Sequence, residues 1–150
     1  DAAQLMANSA KKAGIDIEVI REPNDGYWSN VWNNDAKGWC ACYWGGRPAE
    51  TMMFSAAYVA ESNWNDTMWK TTDSAVKFNQ LVKDARKELD ESKKRDILYE
   101  CQRLIYDDGG LLCPLFNSYV SANSKKIAHG KIAANWDSDG AKCVERWWFA

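Results

Sequence analysis

The residues whose types best suit chemistry lie in one stretch, WCACYWGGRP, from Trp39 to Pro48. The guanidinium of Arg47 can bind a carboxylate through two parallel hydrogen bonds. The glycine pair lets the backbone adopt positive φ or approach a ligand closely, and Trp44 supplies flat apolar contact area. The pattern predicts a core strand that delivers a loop to a binding crevice. A strand followed by an ordinary turn is the alternative.

No complete catalytic set accompanies this stretch. The five cysteines are an odd number, so at least one thiol is free or intermolecular. Their spacing matches no zinc pattern, because C-x-x-C is absent and His129 is the only histidine. No phosphate-binding glycine loop and no G-x-S-x-G occurs. We therefore expect no catalytic residue, metal site or cofactor, and a small thiol-dependent enzyme using Cys40 or Cys42 with His129 is the alternative.

Composition narrows the class of protein. A chain of 150 residues is long enough to bury a core as one domain. Its net charge of −2, with both signs mixed, argues against nucleic-acid binding. No apolar run approaches the ~18 residues of a membrane span, and the first residues lack signal-peptide features. Nine tryptophans indicate an interface or a ligand crevice, with a tryptophan-rich core as the alternative.

Helices and strands are predicted to alternate before the Trp39 stretch. Apolar residues recur at helical spacing over 2–13, and Gly14 reads as the end of that helix. Strict alternation over 15–19 predicts a half-buried strand. Asp25 is a candidate N-cap for a short helix, and residues 33–38 form a polar turn that leads into the next strand.

The second half has clearer helical patterns. In order, the predicted elements are a short helix beginning within 49–54, a polar loop over 62–67, a helix over 75–89, a helix over 97–105 and an apolar strand over 111–116. Asp90–Ser92 read as a break and cap between the two longer helices, and Pro114 favours an edge strand or bulge. The order predicts an α/β fold in which helices cover a sheet.

A series of short segments in fixed order carries a resemblance to a known family. The segments are Gly14–Val19, Gly38–Trp39, Asn65 ahead of Trp69, Phe78–Val82, Lys94–Tyr99 and Gln102–Ile105. The series resembles the C-terminal part of the family 5 solute-binding proteins of ABC importers, the peptide, dipeptide and nickel group. It covers nearly the whole chain, up to the terminal ERWWFA.

The resemblance implies a fold, a location and partners. Residues 1–150 would form a single domain, the C-terminal lobe of a longer two-lobed protein with a type II periplasmic-binding-protein-like fold, a mixed sheet flanked by helices. Two lobes would close on a peptide-like or other small solute by hinge motion in the periplasm and deliver it to permease subunits. The N-terminal lobe and the signal peptide would lie outside this chain, and no enzymatic activity is expected.

The resemblance also places the Trp39 stretch in the cleft between the lobes. In peptide-binding members, an aspartate a few residues after the Gly-Trp pair holds the ligand's α-amino group, and the matching position here is Cys42. A thiol cannot replace a carboxylate as the partner of an ammonium. Arg47 shifts the expectation towards a ligand with a carboxylate or another anion, because a guanidinium fork binds such groups bidentately. A salt bridge or a solvated loop is the alternative for Arg47, and core packing for Trp44. The candidate ligand-binding residues are Trp39, Cys42, Trp44, Gly45, Gly46 and Arg47.

The terminal Arg146–Phe149 run is expected to be a packing element that returns to the other lobe. The isolated chain would then expose an apolar patch and self-associate. A further alternative is an interaction domain whose tryptophan-rich face meets another protein.

Overall fold

The computed structural model describes residues 1–34 and 38–150, which divide into two compact units, Asp1–Trp44 and Gly45–Ala150. The first unit contains α1 (Ala2–Lys11) and α2 (Tyr27–Asn30). The second contains α3 (Glu50–Ala57), α4 (Asp73–Lys87), α5 (Glu91–Asp108), β1 (Ile127–His129), α6 (Asp137–Ala141), α7 (Cys143–Arg146) and β2 (Trp147–Phe149).

Helix α1 confirms the prediction for 2–13, apart from its last two residues. Gly14 has a φ of 78° and donates its N–H to the carbonyl of Lys11, so the chain leaves the helix through a left-handed residue. The strand predicted over 15–19 is wrong. Those residues have no regular structure, because the alternating pattern meets no partner strand within the described part of this unit.

Helix α2 is short and its first cap differs from the prediction. The N-cap is Gly26, with a φ of 82°, rather than Asp25. The strand predicted to begin at Trp39 is also wrong, since residues 38–47 have no regular structure. The hydroxyl of Tyr27 donates to the carbonyl of Ala41 at 2.7 Å. This carbonyl therefore accepts from a side chain rather than from a neighbouring strand. Part of the polar turn expected at 33–38 lies outside the described residues.

The core of the second unit lies among α3, α4 and α5. Phe78 of α4 is fully buried, and its ring packs against Phe54 at 5.5 Å and Trp69 at 5.1 Å. Residues Ala75, Val82, Ala85, Cys101, Leu104 and Ile105 continue this apolar contact between α4 and α5. The helices predicted over 75–89 and 97–105 are confirmed, but α4 ends at Lys87 and Leu89 is 92% exposed.

A side chain fixes the start of α5. The carboxylate of Asp90 accepts hydrogen bonds from the N–H groups of Ser92 and Lys93, at 2.9 and 3.0 Å, which confirms the predicted cap. On the surface, hydrogen bonds from Arg103 and Lys77 lower the pKa of Glu100 to about 2. This carboxylate therefore joins α4 to α5 across their exposed edge.

Helices and strands both occur, as the α/β prediction requires, but the sheet is small. β1 and β2 pair antiparallel, with Ile127 opposite Phe149 and His129 opposite Trp147. The strand predicted over 111–116 is wrong, because these mostly exposed residues have no regular structure and no pairing strand in the described ranges. Among residues 1–34 and 38–150, no helix combines the length and apolarity that a membrane crossing requires.

Candidate functional site

The candidate ligand-binding residues are divided between the two compact units. The first unit contains Trp39, Cys42 and Trp44, and the second contains Gly45, Gly46 and Arg47. Trp39 is 58% exposed and Cys42 is exposed, while Trp44 is half-buried. Each group has its own surroundings within its unit.

Trp44 belongs to a set of rings that we call the aromatic cluster, formed by Tyr27, Trp28, Trp32, Tyr43 and Trp44. The rings of Trp32 and Trp44 lie 6.1 Å apart, and those of Trp28 and Tyr43 lie 5.5 Å apart at 89°. Such edge-to-face pairs are the favourable arrangement of aromatic rings. The cluster packs α2 against the segment that follows Trp39, and Trp44 is half-buried within it.

Arg47 is held by its neighbours in the second unit. Its Nη1 donates to the carbonyls of Gly45 at 2.7 Å and Gly46 at 3.2 Å. The guanidinium carbon lies 5.7 Å from the ring centroid of Trp136, within the range of a cation–π contact. Among the ion pairs of the described residues, none involves Arg47. The described residues therefore provide no salt bridge for Arg47, which was one alternative for this residue.

Both glycines lie beside aromatic side chains. A Cβ atom on Gly45 would lie 3.4 Å from the ring of Trp136, and one on Gly46 would lie 3.3 Å from the hydroxyl of Tyr119. Neither glycine has positive φ. We call Gly45, Gly46, Arg47, Tyr119 and Trp136 the arginine site.

Sequence reasoning missed Tyr119 and Trp136. They lie 72 and 89 residues beyond Arg47, outside any pattern that links them to it. The only available signal is the glycine pair itself, which predicts close approach without naming the side chain that approaches. Trp136 is half-buried and Tyr119 is exposed, so both remain accessible to a ligand.

A buried carboxylate organises the chain just after Trp136. Asp139 accepts hydrogen bonds from the N–H of Ala133 at 2.6 Å and from Nε1 of Trp147 at 3.0 Å, and it forms an ion pair with Arg146 at 3.0 Å. The backbone hydrogen bond, aided by Trp147 and Arg146, lowers the pKa of Asp139. The terminal Arg146–Phe149 run is therefore tied into the second unit through its first two residues.

A second carboxylate ends α5. Asp108 accepts hydrogen bonds from the hydroxyl of Ser74, from Nε1 of Trp69 at 2.9 Å and from the hydroxyl of Thr72 at 2.9 Å. In that order these bonds lower the pKa of Asp108. The contacts join the end of α5 to the start of α4, which is a structural role.

The thiols and the histidine are distributed over both units. Among the described residues Cys40, Cys101, Cys113 and Cys143 are free thiols, and burial raises the pKa of Cys101 to about 11. His129 lies in β1 with its ring 5.0 Å from that of Trp147. Cys40 and Cys42 belong to the other unit. Within the described ranges, no group of three or more His, Cys, Asp or Glu residues is arranged to hold a metal ion.

Comparison with known proteins finds no matching family model, no matching curated protein and no matching solved structure. The residues and their geometry are therefore the basis for any functional conclusion.

Proposed function

We propose that this chain is part of the solute-binding component of an ABC importer and that it binds a carboxylate-bearing or peptide-like solute. In this proposal it is the C-terminal lobe of a two-lobed protein, with a type II periplasmic-binding-protein-like fold. It works in the periplasm with its N-terminal lobe and with permease subunits. The ordered series of segments that resembles family 5 supports this assignment.

The observation that carries the ligand class is the state of Arg47. Arg47 is a half-buried residue whose guanidinium donates to two carbonyl groups, lies over Trp136 and forms no ion pair among the described residues. A fixed, partly desolvated guanidinium is suited to bind an anion in a defined orientation. A ligand carboxylate is the natural partner, because carboxylates match the planar fork of arginine.

The proposed role is binding without turnover. The bound solute would be enclosed as the two lobes close and released to the permease when they open. One lobe supplies only part of the enclosure that buries a small ligand, so strong binding is expected of the two-lobed protein.

A thermal-shift screen of the two-lobed protein tests this function. The panel contains peptides, opines, amino-acid derivatives, neutral sugars and metal ions. We expect the midpoint of unfolding to rise with one group of carboxylate-bearing solutes, because a ligand that binds only the folded state stabilises it. A response restricted to cations or neutral sugars would remove the role of Arg47.

The aromatic cluster favours one second candidate, a protein-interaction domain. Trp28 and Tyr43 are exposed at the surface of the cluster, and exposed aromatic residues are enriched at protein interfaces. The two candidates differ in a simple measurement. An interaction domain would show no solute response in the two-lobed protein, whereas Trp28→Ala and Tyr43→Ala would each weaken the capture of a protein partner.

A further inference from the structure

Three distant parts of the second unit meet at the arginine site, namely the segment Gly45–Arg47, Tyr119 and Trp136. We propose that these residues form a carboxylate-binding subsite in which Trp136 positions the guanidinium of Arg47 and the hydroxyl of Tyr119 donates a further hydrogen bond. This inference rests on the proposed solute-binding function for its biological role, and it adds two specificity-determining residues to Arg47.

The orientation of the guanidinium is set on one side. Nη1 donates to the carbonyls of Gly45 and Gly46, and the central carbon of the guanidinium lies over the ring of Trp136. In the described part of the chain, Nε and Nη2 of Arg47 donate no hydrogen bond. Nε and Nη2 form the edge of a guanidinium that binds the two oxygens of a carboxylate in parallel.

Tyr119 places a second donor beside the same backbone. Its hydroxyl lies 3.3 Å from the position that a Cβ of Gly46 would occupy, and the carbonyl of Gly46 is one of the groups that hold Arg47. Tyr119 is 52% exposed, so its hydroxyl is open to a ligand. A phenolic O–H can donate to an anion that the guanidinium has already bound.

Close packing makes the subsite sensitive to side-chain size. A Cβ at Gly46 would crowd the hydroxyl of Tyr119, whereas one at Gly45 would be in ordinary van der Waals contact with the ring of Trp136. A side chain at Gly46 would therefore require Tyr119 to shift.

The charge of the subsite selects the ligand class. Arg47 is the only cationic side chain of the arginine site, and a single guanidinium balances one negative charge. A carboxylate meets this condition and matches the fork, whereas a phosphate monoester carries a charge of about −1.5 to −2 at neutral pH and needs more cationic partners. The subsite is therefore a carboxylate site.

Nuclear magnetic resonance of the purified chain tests the subsite directly. The indole N–H signal of Trp136 is assigned by its loss in Trp136→Phe, and the probe is N-acetylglycinate at constant ionic strength. We expect a saturable shift of the Trp136 signal with N-acetylglycinate and none with N-acetylglycinamide, which has the same shape but no charge. Arg47→Lys should weaken binding about tenfold or more, because it keeps the charge but loses the fork.

Two further variants keep the test decisive. Tyr119→Phe should weaken binding about tenfold or more, the loss expected for one hydrogen bond to a charged group. Arg95→Lys, on the exposed surface of α5, should bind as the wild type does. The dispersion of the amide spectrum shows that each variant is folded.

The outcomes separate the subsite from the proposed function. The subsite is overturned if the amide shifts Trp136 as strongly as the carboxylate does, if no shift occurs, or if folded Arg47→Lys and Tyr119→Phe bind like the wild type. If the subsite binds carboxylates but the two-lobed protein binds no solute, the importer function fails and the subsite stands. If the two-lobed protein binds a solute without shifting the Trp136 signal, and Arg47→Lys binds that solute as the wild type does, the subsite fails and the importer function stands.

Discussion

At the scale of single residues, two carboxylates of the second unit each accept several hydrogen bonds. Asp139 binds Ala133, Arg146 and Trp147. Asp108 joins the end of α5 to the start of α4. Neither was singled out by the sequence as a binding residue. The partners of Asp108 lie 34 to 39 residues away, and those of Asp139 lie within eight residues but are brought together by an irregular turn.

These carboxylates make stability depend on pH. Because the pKa values of Asp108 and Asp139 are lower in the folded state than the ordinary 3.8, the unfolded state binds more protons in acid. The stabilisation is fully present above the ordinary value and is lost as pH falls through 3.8 towards the folded values. We expect the urea midpoint to be flat near neutrality and to fall steadily below about pH 4.

Substitution separates this effect from general acid unfolding. Asp139→Asn should lower the urea midpoint near neutrality and reduce its fall in acid, because an amide cannot form the ion pair with Arg146. The matched control is Asp96→Asn, since Asp96 is exposed on α5 and makes no hydrogen bond among the described residues. An unchanged acid dependence in Asp139→Asn would contradict the role given to this carboxylate.

At the scale of elements, α6 has an unusual backbone. The φ angles of Ser138, Asp139, Gly140 and Ala141 are 48°, 59°, 70° and 61°, so the segment turns with left-handed geometry. A non-glycine residue in this region costs about 1–2 kcal/mol. The hydrogen bonds and the ion pair of Asp139 offset part of that cost and hold the turn that follows Trp136.

Relief of this strain is measurable. Ala141→Gly should raise the free energy of unfolding by about 1 kcal/mol, because glycine adopts positive φ freely and Ala141 is exposed. Ala10→Gly, within the ordinary helix α1, should lower it by about 0.5–1 kcal/mol. Urea unfolding of both variants gives the comparison, and a loss of stability in Ala141→Gly would contradict the left-handed geometry.

The sequence predicted helices better than strands, for a physical reason. The apolar spacing of α4 and α5 and the cap at Asp90 are local features, and local hydrogen bonds complete a helix. The segments 15–19 and 111–116 have strand-like composition, but a strand needs a partner that composition does not supply. β1 and β2 pair across 18 or more residues with only three residues each, too few for an alternating pattern to stand out.

The candidate site shows the same division. Gly45, Gly46 and Arg47 were predicted as binding residues from their types, and they do form one constellation. Tyr119 and Trp136 complete it through contacts that only folding creates. Cys42 and Trp39 are exposed in the first unit, and their expected roles as ligand contacts stay predictions.

At the scale of the whole molecule, apolar side chains are exposed along one uncharged segment. No charged residue occurs between Asp108 and Lys125, and Phe116 and Val120 of this segment are 94% and 92% exposed. Trp148 and Phe149 at the C-terminus are exposed as well. In the proposed two-lobed protein these groups are the natural contacts of the other lobe.

We therefore expect the chain by itself to self-associate. Sedimentation velocity should show a weight-average mass that rises with concentration. Phe116→Ser should raise the dissociation constant about tenfold, because burying one phenylalanine contributes about 1.5–3 kcal/mol. Leu89→Ser, at an equally exposed site beside α4, should leave it unchanged. A clean monomer at all concentrations would contradict this prediction.

The proposed function requires Arg47 to bind the carboxylate of the transported solute. Calorimetric titration of the two-lobed protein with the carboxylate solute that gives the largest thermal shift measures this contact, with Arg47→Lys compared to Arg95→Lys. We expect the affinity of Arg47→Lys to be about tenfold or more weaker, because the bidentate contact is lost, and that of Arg95→Lys to be unchanged. Equal affinities in all three proteins would show that Arg47 does not bind the carboxylate.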